Sequence, residues 1–185
     1  MEESANPALT PRDIILRYGL ICGALAILFV AILYLIDAGL IFGYYAYIGF
    51  LFTFGVSVIA SVKRRKYNDD MISYGDAVTT SLAVFSIGQT MYTLFMLLLY
   101  FVIDPHLIEK MKSVQIDKMD GMLRNGTINK VQYTAAQSSI ENMNSNTILF
   151  YSITGLIVIV IISLLIFLLT SIFIKNESPF KKELN

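Results

Sequence analysis

Four apolar stretches dominate this chain: about Ile14–Ile36, Leu40–Val62, Ala77–Ile103 and Thr147–Ile174. The last three contain no Asp, Glu, Lys or Arg, and the first contains only Arg17, near its start. A helix rising ~1.5 Å per residue needs about 20 residues to cross a hydrocarbon core of ~30 Å, so each stretch is a candidate membrane span. Inside hydrocarbon the backbone must satisfy its own polar groups, which makes such spans helical. The expectation is an all-α fold: a four-helix integral membrane bundle forming a single membrane domain over residues 1–185. Charged residues make up 15% of the chain and its formal net charge is zero, which argues against a nucleic-acid partner. The expected partners are the bilayer itself and either a second copy or another membrane protein.

Charge sets the expected orientation. Lys63-Arg64-Arg65-Lys66 ends the second span, and a basic block in a short loop, here expected over 63–72, stays cytoplasmic. Both termini then lie inside, including a tail over 175–185 with Lys175, Lys181 and Lys182. The N-terminal MEESANPALTPRD lacks the basic lead of a signal peptide, so the first span is expected to remain in the protein. Within it, Thr10-Pro11-Arg12-Asp13 reads as a helix start. Asp37-Ala38-Gly39 suits a tight outer turn. Tyrosines favour membrane interfaces; Tyr34, Tyr44, Tyr45, Tyr47, Tyr100 and Tyr151 fall at predicted outer ends, whereas Tyr92 lies mid-span.

The segment 105–146 between the third and fourth spans is too long for a plain connection. Leu107, Met111 and Val114 begin one helical stripe. Arg124-Asn125-Gly126-Thr127 supplies a turn with Thr127 as a cap, and Ile128, Val131 and Ala135 begin a second stripe. An extracytoplasmic helical hairpin is expected, packed on itself or on the outer span ends.

Small and polar residues concentrate in the third span. Asp76, Thr79, Ala83, Ser86, Thr90 and Thr93 recur at steps of three and four and share one stripe. Ser81, Gly88, Gln89 and Tyr92 occupy a neighbouring face. Lipid gives helices no hydrophobic reason to associate, so small residues and interhelical hydrogen bonds do that work; Gly19-x-x-x-Gly23 in the first span fits the same pattern. Counting back from Asp104 at ~1.5 Å per residue ends a ~30 Å core near Val84. Asp76 therefore falls at the cytoplasmic rim, where helix-start duty and pairing with Arg17 or the basic block outweigh proton transfer. Gln89 and Tyr92 lie deep and need partners: each other, a facing helix, water or a ligand.

Catalytic signals are thin. The chain has one histidine, so Asp104, His106 and Glu109 make a poor metal set, and no hydrolase elbow or phosphate loop appears. No cofactor and no catalytic residue is expected. Cys22, the one cysteine, excludes an internal disulfide.

Tyr74-Gly75-Asp76-Ala77 opens a long polar-then-apolar helix, Asp104-Pro105 closes it, and a last span ends at Lys175. In these features, over about Arg12 to Lys175, the chain resembles a family of uncharacterised four-span bacterial membrane proteins, the domain of unknown function 4199, found chiefly in Bacteroidetes. The resemblance implies a bacterial inner-membrane location and brings no activity, cofactor or catalytic residue. A bacterial source also empties the Asn125-Gly126-Thr127 glycosylation motif of meaning. The expected function is a non-catalytic accessory, sensing or assembly role through helix association. The alternative is a component of a small oligomeric transporter or channel using the third-span polar seam.

Overall fold

The computed structural model describes residues 10–176, so the 177–185 part of the expected tail, with Lys181 and Lys182, lies outside the described residues. Within them the chain forms six α-helices and no named strand: α1 (Pro11–Ile36), α2 (Ala46–Tyr67), α3 (Tyr74–Leu98), α4 (Leu107–Arg124), α5 (Lys130–Glu141) and α6 (Ser145–Ile174). Four of them, α1, α2, α6 and α3 with its extension to Ile103, are long and apolar enough to cross a membrane. This is the architecture of a membrane protein.

Local chemistry sets most helix ends. Thr10 caps α1: its hydroxyl accepts the Asp13 N–H while the Asp13 carboxylate accepts the Thr10 N–H at 3.0 Å. The second long helix starts later than the apolar run. Ala38–Phe42 form a 3-10 turn capped by Asp37, and α2 begins only after Gly43. At its other end, α2 continues through Lys63–Lys66 to Tyr67, where a loop over 63–72 is expected from sequence. Lysine and arginine are good helix formers, and positive charge suits a helix C-terminus. The link to α3 is correspondingly short and turns through Asp69 and Asp70, with φ of 50° and 61°. Aspartate enters this left-handed region more readily than most residues. Beyond Leu98, Leu99–Ile103 widen into a π turn closed by the Asp104 N–H on the Leu99 carbonyl at 2.9 Å. Asp104 precedes Pro105 and is pushed out of the helical region, which ends the helix there.

The helices are organised around α3, which packs on α1, α2 and α6, whereas α6 makes no packing contact with α1. The α1–α3 seam interlocks. A Cβ on Gly19 would lie 2.9 Å from Ile87 Cβ, and one on Gly23 would lie 2.8 Å from Met91 Cβ. Gly88 returns the fit by receiving Cys22. Near the middle of the bundle, Phe167 of α6 stacks on Phe54 at 4.9 Å and meets Phe85 edge-on at 5.7 Å; the end carrying Lys63–Lys66 is hereafter the basic end, and it lies beyond this cluster. The basic end of α6 is pinned by the Tyr74 hydroxyl on the Leu168 carbonyl at 2.8 Å and by paired backbone bonds between Ile72 and Asn176.

At the opposite end, α4 and α5 form a hairpin that docks on the long helices. Leu107 and Met111 are buried in a cluster with Val30, Leu33, Leu99, Tyr100 and Ile148. The second hairpin helix starts later than expected: Asn129, not Thr127, caps α5 in a reciprocal pair with Gln132. Ile128 therefore precedes the helix, and Val131 is 79% exposed rather than part of an apolar stripe. Gly126, with φ of 70°, makes the turn.

Polar latches hold the hairpin. Lys110 Nζ meets Asp37 at 3.2 Å, and Lys118 Nζ donates to the Phe42 carbonyl at 2.6 Å. The Gly39 N–H, then the Lys110 ammonium, hold the Asp37 carboxyl below its ordinary value of 3.8. A carboxylate depressed on folding stabilises the fold above its unfolded value and loses that contribution as pH falls through the folded one. Hydrogen exchange of α4 amides should therefore show constant protection from neutrality to about pH 4 and a drop below it. Asp37→Asn should remove the part of that acid step carried by this latch; an unchanged step would assign the latch no role.

Candidate functional site

The polar residues of the long helices fall into two groups, one at the basic end and one midway along α3. At the basic end, Arg64 reaches from the last turns of α2 into the start of α3. Its guanidinium donates to the Asp76 carboxylate at 2.7 Å, the Asp76 carbonyl at 3.3 Å and the Thr80 hydroxyl at 2.7 Å. Asp76 also serves the helix start, since Ser73 Oγ donates to its carboxylate at 2.7 Å and accepts its N–H. Of the four basic residues, Arg64 holds Asp76; Arg65 pairs with Asp70 at 3.1 Å and donates to the Ile174 carbonyl. Arg17 is exposed.

Above this pair, Ser81 of α3 is met by α2 hydroxyls that the sequence reading did not single out. Ser61 Oγ lies 2.7 Å from Ser81 Oγ and donates to the Ala77 carbonyl at 2.9 Å. Thr53, Ser57 and Ser61 are all buried on one side of α2. Their regular spacing of four, in a helix otherwise rich in Phe, Val and Ile, is the signal that could have found them.

Midway along α3, Gln89 is 7% exposed and its Nε2 donates to Thr53 Oγ1 at 3.1 Å. Thr53 in turn donates to the Phe50 carbonyl at 2.9 Å. The two deep polar residues do not bond each other. Gln89 Oε1 and the Tyr92 hydroxyl take no hydrogen bond among the described residues. Both side chains line two cavities. One, of about 190 Å³, lies among α1, α2 and α3 and is walled by Phe29, Val30, Leu33 and Phe50. The other, of about 300 Å³, lies between α3 and α6, with Thr93 and Met96 facing Ser152, Gly155 and Leu156. Ile159 borders both.

The second cavity exists because α6 parts from α3. In the basic-end half of α6, Ser163, Phe167, Ser171 and Ile174 are buried; between Tyr151 and Ile162 none is. The remaining stripe residues of α3 are placed differently from the buried seam. Thr79 and Thr90 are exposed, and their hydroxyls return to the Gly75 and Ser86 carbonyls of their own helix at 2.8 Å each. Ala83, Ser86 and Thr93 are half-buried. The buried face is Ala77, Thr80, Ser81, Val84, Phe85, Gly88 and Gln89. It lies on the opposite side of α3, about half a turn from the stripe beginning at Asp76.

At the hairpin end, His106 and Glu109 are exposed and 4.0 Å apart, while Asp104 accepts from Tyr34 at 3.1 Å and from the His106 N–H. Asp104 thereby joins α1 to the end of α3.

No curated protein and no solved structure matches this chain. A family model described as "Protein of unknown function (DUF4199)" matches residues 17–176, from the first turns of α1 to the backbone pair that pins the end of α6. The match spans all six helices, and the chain belongs to the DUF4199 family.

Proposed function

We propose that this protein is a non-catalytic accessory or assembly component of a bacterial inner membrane that acts by helix association. One observation carries the reading: three polar contacts within the long helices join one helix to another. Ser61 bonds Ser81, Gln89 bonds Thr53, and Arg64 bonds Asp76 and Thr80. That usage suits a scaffold, where interhelical hydrogen bonds hold the bundle together. The partner-facing element in this reading is α6, held along one side by α3 and touching α2 only slightly. Both termini are cytoplasmic and the α4–α5 hairpin is extracytoplasmic, in keeping with the basic block at the other end.

Photocrosslinking residues placed at Ile157, Ile161 and Leu165, all exposed on α6, test the association. The expected result is a discrete protein adduct, of a second copy or of one recurrent membrane protein. Lipid adducts alone at all three positions would overturn it. For orientation, Ser138→Cys on α5, in a Cys22→Ser background, should react with a membrane-impermeant maleimide added outside intact spheroplasts. A cysteine replacing Asp70 should react only after lysis.

The transporter or channel reading draws on the cavities that meet at Gln89 and Tyr92. Their apolar walls suit a lipid-like occupant better than a hydrated ion.

A further inference from the structure

We propose that the paired cavities at Gln89 and Tyr92 form one binding site for a neutral lipid alcohol, a molecule with a hydroxyl on a long apolar body. The inference is independent of which protein α6 meets. Gln89 is 7% exposed, and only one end of its amide is satisfied, by Thr53. Its Oε1 has no hydrogen-bond partner, yet it is not among the fully enclosed unpartnered atoms, so it faces open space. Tyr92 borders the same two cavities and has an unpartnered hydroxyl. Buried amide and phenol groups are normally paired, and an unpaired one is costly in apolar surroundings. A lipid hydroxyl meets both needs: it donates its proton to Gln89 Oε1 and accepts the Tyr92 proton.

Charge selects the class further. No Lys, Arg, His, Asp or Glu borders either cavity. A phosphate or carboxylate there would be desolvated without compensation, which excludes charged lipid headgroups. Most of the remaining wall is apolar, as a long apolar body requires: Phe29, Val30 and Phe50 on one side, Met96, Leu156 and Ile159 on the other, with Thr93 and Ser152 among them. Access is lateral. Where α6 parts from α3, the larger cavity reaches the surface beside Tyr151 and Gly155, both exposed. A ligand already dissolved in the bilayer can slide in along that cleft, while Phe85 and Phe167 close its basic end.

The full chain in nanodiscs should be photolabelled by alkyne-tagged diazirine hexadecanol in a saturable way that untagged hexadecanol displaces. Adducts should map to α3 and α6. Gln89→Leu and Tyr92→Phe should each lower saturable labelling about five- to tenfold, the effect of one lost hydrogen bond. Gly155→Phe should lower it as well by filling the cleft; a Cβ at Gly155 meets nothing within 4 Å. Circular dichroism and gel filtration of each variant separate loss of binding from loss of structure. Saturable labelling that survives in a folded Gln89→Leu/Tyr92→Phe double variant would overturn the proposal. Equal saturable labelling by tagged phosphatidylglycerol, or by a tagged alkane without the hydroxyl, would overturn it too.

Discussion

Gly88→Leu should destabilise the protein by about 2–3 kcal/mol, the range for forcing extra volume into a packed seam. The position has no room. An added Cβ would strike Cys22 and lie 3.0 Å from its Cβ and 3.4 Å from the Gly23 backbone nitrogen. The sulfur can rotate, but the α1 backbone can retreat only by opening the seam that also seats Ile87 on Gly19 and Met91 on Gly23. Denaturant unfolding in mixed micelles, followed by loss of helicity, should show the midpoint falling accordingly. Gly121→Ala is the matched control. Its Cβ meets nothing within 4 Å, and glycine inside α4 should give way to alanine with a gain of about 0.5–1 kcal/mol. A Gly88→Leu protein that unfolds at the wild-type midpoint would mean that the α1–α3 contact is looser than it stands here.

Arg64→Met should cost about 2 kcal/mol, by removing three hydrogen bonds at once and loosening the joint between α2 and α3. The figure sits below the 3–5 kcal/mol of a fully buried pair because the Asp76 side chain is 48% exposed and water supplies part of what Arg64 gave. Arg64→Lys should recover less than half of the loss, since an ammonium cannot span a carboxylate, a carbonyl and a hydroxyl as the planar guanidinium does. A double-mutant cycle with Asp76→Asn, read by the same unfolding transition, should give a coupling of about 1 kcal/mol. Zero coupling would reduce the pair to a chance surface contact. Arg65→Met makes a useful comparison, because its partner Asp70 is 65% exposed and the expected effect is correspondingly small.

These two sites show how unevenly the structure could be read from the chain. That α3 opens near Ser73 and ends before Pro105 follows from a serine cap and from the steric effect of proline on the preceding residue. Both act within a few positions. That Gln89 and Tyr92 lie midway along a long apolar helix was equally legible, because it needs only a distance along the chain. Their partners were not. Gln89 bonds Thr53, 36 positions away, and the spacing that marks Thr53 as part of a polar stripe does not say which residue of another helix it meets. The stripe at steps of three and four from Asp76 looked like a packing face. Hydroxyls on a helix can return to their own backbone, and those of Thr79 and Thr90 do so while remaining exposed. The deciding information lay on other helices: Gly19 and Gly23 seat Ile87 and Met91, and Ser57 and Ser61 seat the face of Ser81. Similarly, a basic block of four residues announced itself, but only the rotation of α2 against α3 chose Arg64 over its neighbours.

Four apolar lengths, their caps and the charge between them are local quantities, set by hydration and by backbone sterics, and the sequence alone determined them. Which face of α3 is buried, where Asp76 finds its cation, and where α6 leaves α3 to open the cleft beside Gln89 were decided only by tertiary structure. Each depends on how helices rotate and tilt against one another. On α3 the stripe beginning at Asp76 and the buried face lie about half a turn apart, so only the rotation of that helix against its neighbours selects which one is covered.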